Sequence, residues 1–143
     1  MPKQKAIIIS IKPEWIKLIF AGKKSVELRR SFTQKVEAGT KAVIYSSAPT
    51  SAIVGVATIE KIDFSSPKQL WDRYSQSSMA TQDQFFNYFK GKDIGVALSL
   101  QNVKSTPSTP LDILRKKHKF YPPVSWRFLK DTEYHLLSEN AQE

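Results

Sequence analysis

Cysteine is absent from the 143 residues, which removes disulfide frameworks, zinc-thiolate sites and cysteine nucleophiles from consideration and accords with a reducing interior. Long hydrophobic runs are also missing. The apolar opening Ala6–Ile9 is far too short for a signal-peptide core or a membrane span, so the expectation is a soluble cytoplasmic protein with no membrane partner. Histidine occurs twice, and no H-x-x-x-H pair, acidic metal cluster, phosphate loop or dinucleotide fingerprint is present. Neither a metal nor a cofactor is expected. No internal repeat, low-complexity tract or long linker divides the chain. With 41% hydrophobic residues, residues 1–143 read as one domain with a core over about 5–130 and a polar tail, SENAQE.

What is abundant is positive charge, and its placement is uneven. The formal charge is +9, from 22 Lys and Arg against 13 Asp and Glu. Before residue 45, ten of the bases face only Glu14, Glu27 and Glu37, whereas between residues 51 and 103 the two signs balance. Such a cluster concentrates polyanions and makes their binding salt-dependent, which leans toward nucleic acid. Basic composition also serves solubility, so charge alone does not identify a partner.

Ala6–Ile11, rich in isoleucine, reads as a buried strand. Pro13 suits the first turn of a helix in which Trp15, Ile16, Ile19 and Phe20 recur at helical spacing until Gly22 stops it. In AGKKSVELRR, residues 21–30, an extended backbone points Ser25, Glu27 and Arg29 to one face and Val26 and Leu28 to the other. Strands follow over Lys41–Ser46 and Ala52–Ile62. Leu70, Trp71 and Tyr74 fit a short helix, and Thr81 with Gln84 forms a capping box ahead of Phe85, Phe86, Tyr88 and Phe89. Aromatics at that spacing read as core. Ile94–Val103 is a further strand, Thr106–Pro110 a turn-rich connection, and a short helix then runs into the basic stretch RKKHK, Pro122-Pro123 and VSWRFL.

Taken in order, SIKPEWIKLIFAGKKSVELRR, VIYSSAP, GVATIEKID, MATQDQFFNYFKGK, GVALSL and PPVSWRFL resemble an ASCH domain of the PUA-like superfamily over roughly residues 5–130. The most specific element is G-x-K-x-x-E-x-R, here Gly22, Lys24, Glu27 and Arg29. The resemblance implies an α+β fold, a PUA-like pseudo-barrel of about five to six mixed strands with short helices covering the openings. It also implies RNA recognition or processing, with ribonuclease-like relatives and an amidohydrolase acting on acetylated cytidine. The amidohydrolase type uses a lysine, a threonine nucleophile and a distant glutamate. Lys24 matches the lysine, Glu27 stands where the threonine would, and Ser77 is the nearest equivalent to the acid. A carboxylate cannot replace a hydroxyl nucleophile without a change of mechanism, so the cleft carries over and the triad does not.

Within that cleft Lys24 and Arg29 are expected to hold a phosphate or a base carbonyl, with Glu27 orienting them or accepting from an exocyclic amine. The plainer reading is a salt-bridged carboxylate on a crowded cationic surface, worth about 0–1 kcal/mol if exposed. Ser46 and Ser47 end the third strand, Trp126 offers an aromatic face and Arg127 a further cation, and Lys12 lies just before the first helix; all are expected around the same mouth. For Trp126, core burial is an equally good reading. His118, inside Arg115–Lys119, and His135 make no catalytic pair, and the basic run reads as solvated loop. The leading expectation is a module that binds single-stranded or looped RNA, or a nucleotide, through Lys24, Glu27 and Arg29 with Lys12, Ser46, Trp126 and Arg127 around them. The alternative is a metal-free enzyme of RNA metabolism, a ribonuclease or a hydrolase of a modified nucleoside, with Lys24 and Glu27 as candidate catalytic groups.

Overall fold

Ile7, Ile8, Ile9 and Ile11 are all buried, as a strand covered on both faces demands. In the computed structural model, which describes residues 5–138, they form β1, Ile7–Ile11. Alternation sends Ile7, Ile9 and Ile11 into one hydrophobic cluster and Ala6 and Ile8 into another. α1 (Pro13–Phe20) follows with proline in its first turn, and Gly22, at φ +76°, turns the chain into β2 (Val26–Arg29). β3 (Thr40–Ser46), β4 (Ala52–Ser65), α2 (Pro67–Tyr74), α3 (Gln82–Tyr88), β5 (Gly95–Pro110), α4 (Leu111–His118), β6 (Trp126–Phe128) and a 3₁₀ segment, Asp131–Leu137, complete the described chain. The expected polar tail SENAQE begins at Ser138, and its remainder, 139–143, lies outside the described residues.

The strands form one six-stranded mixed sheet in the order β2-β5-β4-β3-β1-β6, parallel between β1 and β3 and antiparallel elsewhere. Three register shifts between β4 and β5 let this long pair bend. The sheet curls into a half-barrel around the first cluster, in agreement with the expected α+β pseudo-barrel of five to six strands. α4 and the 3₁₀ segment cover the second cluster. α2 and α3 cover a third, built from Val26, Leu70, Tyr74, Phe85, Phe89 and Ala97. Both helices start on capping boxes, Ser66 with Gln69 and Thr81 with Gln84.

One connection differs from its sequence reading. Thr106–Pro110 is not a turn: β5 continues through it, and Thr109 and Pro110 pair with Ile53 and Ala52. Prolines are tolerated there because β2 reaches only Val96–Ser99 of β5, so the far half of β5 has no second neighbour to which an N–H must be donated.

Candidate functional site

β2 and β6 are the two edges of the curled sheet, and no ladder joins them. Arg29 bridges the gap instead. Its Nη1 donates to the Ser125 hydroxyl at 3.0 Å and to the Ser125 carbonyl at 3.4 Å. Its Nη2 donates to the Ser10 carbonyl of β1 at 2.8 Å and to Glu27 Oε2 at 2.7 Å. The Nε of this guanidinium is buried with no partner. Glu27, 7% exposed, is held on its other side by Lys24, whose ammonium lies 3.7 Å from Oε1.

Lys24 is itself buried. Its ammonium donates to the Ser78 carbonyl at 2.7 Å and sits 4.7 Å from the centroid of the Trp15 ring. Burial pushes its pKa below the usual lysine value of 10.5, against the pull of Glu27 in the other direction. The turn carrying Ser78 is fixed because the Ser77 carbonyl accepts from the N–H groups of Ser25 and Val26.

These groups line a cavity of about 370 Å³ whose wall also includes Ser10, Ile11, Lys12, Trp15, Leu28, Ser47, Gln84, Tyr88 and Val124. Glu27 and Arg29 share the cavity face of β2, while Val26 goes to the third cluster. Lys12, at the α1 N-terminus, is an exposed cation on the rim. Ser25 is exposed and precedes the strand.

The other expected members are placed differently. Ser46 is buried, paired with Ala52 and Ile11 in the ladder, and the cavity is lined by Ser47 in its stead. Trp126 packs on Phe32 and Phe128, with centroids 5.1 and 5.2 Å apart, and belongs to the barrel cluster. Arg127, its neighbour on the opposite face of β6, forms a two-pronged pair with Glu133 at 2.7 and 2.9 Å. Only Ser125 of the Ser125-Trp126-Arg127 run meets the first motif. Ser77 does not line the cavity. The rings of His118 and His135 meet at 4.6 Å with their planes tilted by 46°, and neither lines the cavity.

Sequence reasoning missed Trp15, Gln84, Tyr88 and Val124. From sequence Trp15 reads as part of the α1 periodicity, and the aromatics of α3 read as one core. Phe85 and Phe89 are core, whereas Tyr88 is 39% exposed and stands one turn from Gln84 on the cavity side. The spacing of Gln84 and Tyr88 was the available signal.

Chemically, the cavity combines aromatic and aliphatic walls, a carboxylate with accepting capacity left on Oε1, a buried ammonium and a cationic rim. Gln84 lines the cavity while its Oε1 accepts from the Thr81 N–H in the α3 cap, and its amide nitrogen is the donor end of the same group. Among the described residues no cluster of three or more His, Cys, Asp or Glu side chains could hold a metal ion, and no helix is long and apolar enough to cross a membrane.

A mixed sheet curled into a half-barrel, with short helices over its openings, defines a PUA-like protein. The chain belongs to the ASCH domain family of that fold, and a family model described as a domain of unknown function (DUF365) matches residues 4–116. An ASCH domain-containing ribonuclease of Zymomonas mobilis is 31% identical over 138 residues, 96% of this chain and 93% of the relative. The crystal structure of ASCH from that organism superposes with a TM-score of 0.85 at 30% identity, covering 94% of each chain. Human THYN1, solved in complex with DNA containing 5-methylcytosine, shares the fold at a TM-score of 0.64 and 13% identity, over 98% of this chain and 99% of that one.

Proposed function

We propose that the cavity takes an unpaired nucleotide of a nucleic acid, with single-stranded or looped RNA as the partner. The observation that carries this reading is the meeting of Lys24, Glu27, Arg29 and Trp15 in one hollow of about 370 Å³, the size class of small-molecule sites. Glu27 Oε1 accepts from an exocyclic amine of the base, Gln84 and Lys24 supply donors, and Lys12 meets the phosphate. Arg29 contributes less directly than the sequence suggests, because Ser10, Ser125 and Glu27 consume its terminal nitrogens. Among the described residues each α-helix packs a side chain on one of the buried clusters, which favours an unstacked base over duplex readout. The chain acts as one domain over about residues 5–130, in the cytoplasm.

A second reading is supported by the ribonuclease name of the 31% identical relative. Metal-free RNA cleavage needs a base for the ribose hydroxyl and a cation for the phosphorane, and Glu27 with Lys24 stand close enough together to divide those roles. A salt series of filter binding with single-stranded RNA, duplex RNA and duplex DNA, run beside a metal-free cleavage assay on the same RNA, separates the two. Binding is expected to prefer single-stranded RNA and to weaken at least tenfold in Lys24→Met. Equal affinity for all three nucleic acids, unchanged in Lys24→Met, would sink the cavity reading. Cleavage abolished by Glu27→Gln with binding retained would establish the enzyme.

A further inference from the structure

The basic run after residue 114 plays no part in the cavity. Between Leu111 and Lys130 the chain carries Arg115, Lys116, Lys117, Lys119, Arg127 and Lys130 against a single acid, Asp112, which sits in the first turn of α4. Arg127 is spent on Glu133. The remaining five cations are all exposed. Leu114 is buried in the second cluster and anchors α4, so its basic last turn is displayed from a fixed helix.

This surface is joined to the cavity by a short, pinned segment. Tyr121, 54% exposed, has its carbonyl taken by Arg127 and its ring flanked by Lys130 at 4.7 Å. Pro123 accepts from the Ser10 hydroxyl at 2.7 Å, and Ser125 holds Arg29. Between them Val124, the most exposed large apolar side chain among the described residues, lines the cavity mouth. Four residues separate Lys119 from Val124, five Cα–Cα steps that span at most about 18 Å. The apolar lip of the cavity, an exposed aromatic and the cationic helix end are therefore consecutive along the chain.

We propose that this path is a tracking surface for single-stranded nucleic acid: a strand whose nucleotide occupies the cavity continues over Val124 and Tyr121, and its phosphates are neutralised by Lys116, Lys117, Lys119 and Lys130. The proposal rests on the nucleotide reading of the cavity and adds to it a direction and a second contact. Charge complementarity is its warrant, because a lone nucleotide has no use for five cations placed beyond the site, whereas a strand gains a released counterion at each phosphate contact.

The test compares a fluorescent single-stranded RNA trinucleotide and dodecanucleotide by anisotropy across a salt series. In the Lys116→Glu/Lys117→Glu variant, both positions being exposed, the dodecanucleotide is expected to bind at least tenfold more weakly. Its salt slope should fall by about 1.4, at about 0.7 per phosphate contact on a single strand. Trinucleotide affinity is expected to stay unchanged in that variant, and Tyr121→Ala to weaken the dodecanucleotide. Dodecanucleotide binding and slope equal to wild type in the charge-reversed variant would overturn the proposal. So would sedimentation with anionic phospholipid vesicles that the same variant abolishes while RNA binding persists, since the surface would then belong to a membrane. Failure of the cavity reading looks different: Lys24→Met would leave trinucleotide binding untouched, whatever the α4 variant does to the longer strand.

Discussion

Arg29 and Ser125, ninety-six positions apart in sequence, hold the two edges of the half-barrel together by a side-chain bond where a backbone ladder is missing. The same guanidinium closes a 2.7 Å ion pair with Glu27 in a setting where both side chains are about nine-tenths buried. Removal of one partner from such a pair strands the other charge. Arg29→Ala is therefore expected to lose about 3–5 kcal/mol in urea denaturation. Glu27→Gln, which keeps an acceptor but leaves the buried Lys24 and Arg29 charges without a counterion, should lose a similar amount. A loss below about 1 kcal/mol in Arg29→Ala would mean that the two edges stay together without this bridge.

Lys24 links the site to the pH dependence of stability. Burial lowers its native pKa from 10.5, so over the range between the native value and 10.5 the unfolded chain binds more protons than the folded one. Stability then rises with pH through that interval, as the cost of burying an ammonium is relieved. Urea midpoints measured toward pH 10.5 should climb more steeply in wild type than in Lys24→Met, whose side chain has no proton to lose. Parallel curves would place the ammonium in a better-solvated setting than its contacts describe.

The strands and helices were legible because their signals are local. Isoleucine runs, Pro13 at a helix start and the Thr81–Gln84 box each act within a few residues, and the structure follows them. Thr106–Pro110 was misread because proline's meaning in a sheet depends on whether a second strand lies alongside, which is set by the four-residue length of β2. The alternation of Glu27 and Arg29 on β2 was also local. Trp126 and Arg127 were not legible in the same way: adjacent on a strand, they had to face opposite sides, and only the positions of Phe32 and Glu133 decide what each meets. Val124 carries no sequence signal at all, since its place at the cavity mouth follows from bonds made by Pro123 and Ser125.

The cap of α3 positions part of the site. Thr81 accepts from the Gln84 N–H, and Gln84 returns its side-chain oxygen to the Thr81 N–H at 2.9 Å. Thr81→Ala should cost about 0.5–2 kcal/mol. It should also weaken nucleotide binding, because Gln84 and Tyr88 lose their common anchor. Thr81→Ser, which retains the hydroxyl, is expected to restore both stability and affinity.

Glu133 offers a control remote from the cavity. Its carboxylate is fully buried and receives both prongs of Arg127 and the Lys130 N–H. Burial raises the pKa of this group, but the three donors outweigh it and hold the value below 4.5. A carboxyl depressed in the folded state contributes stability that is complete above its unfolded pKa and disappears as pH falls through the native one. Glu133→Gln is accordingly expected to cost about 3–5 kcal/mol at neutral pH, where it leaves the Arg127 charge buried without a counterion. Below pH 4.5 the wild-type and variant denaturation curves should converge, because acid removes from the wild type the charge that the substitution has already removed. Trinucleotide affinity at neutral pH should not change, since neither Glu133 nor Arg127 lines the cavity. A gap between the two proteins that stays constant into strong acid would assign the effect of the substitution to packing, and the ion pair would then have no part in fixing β6 to the 3₁₀ segment.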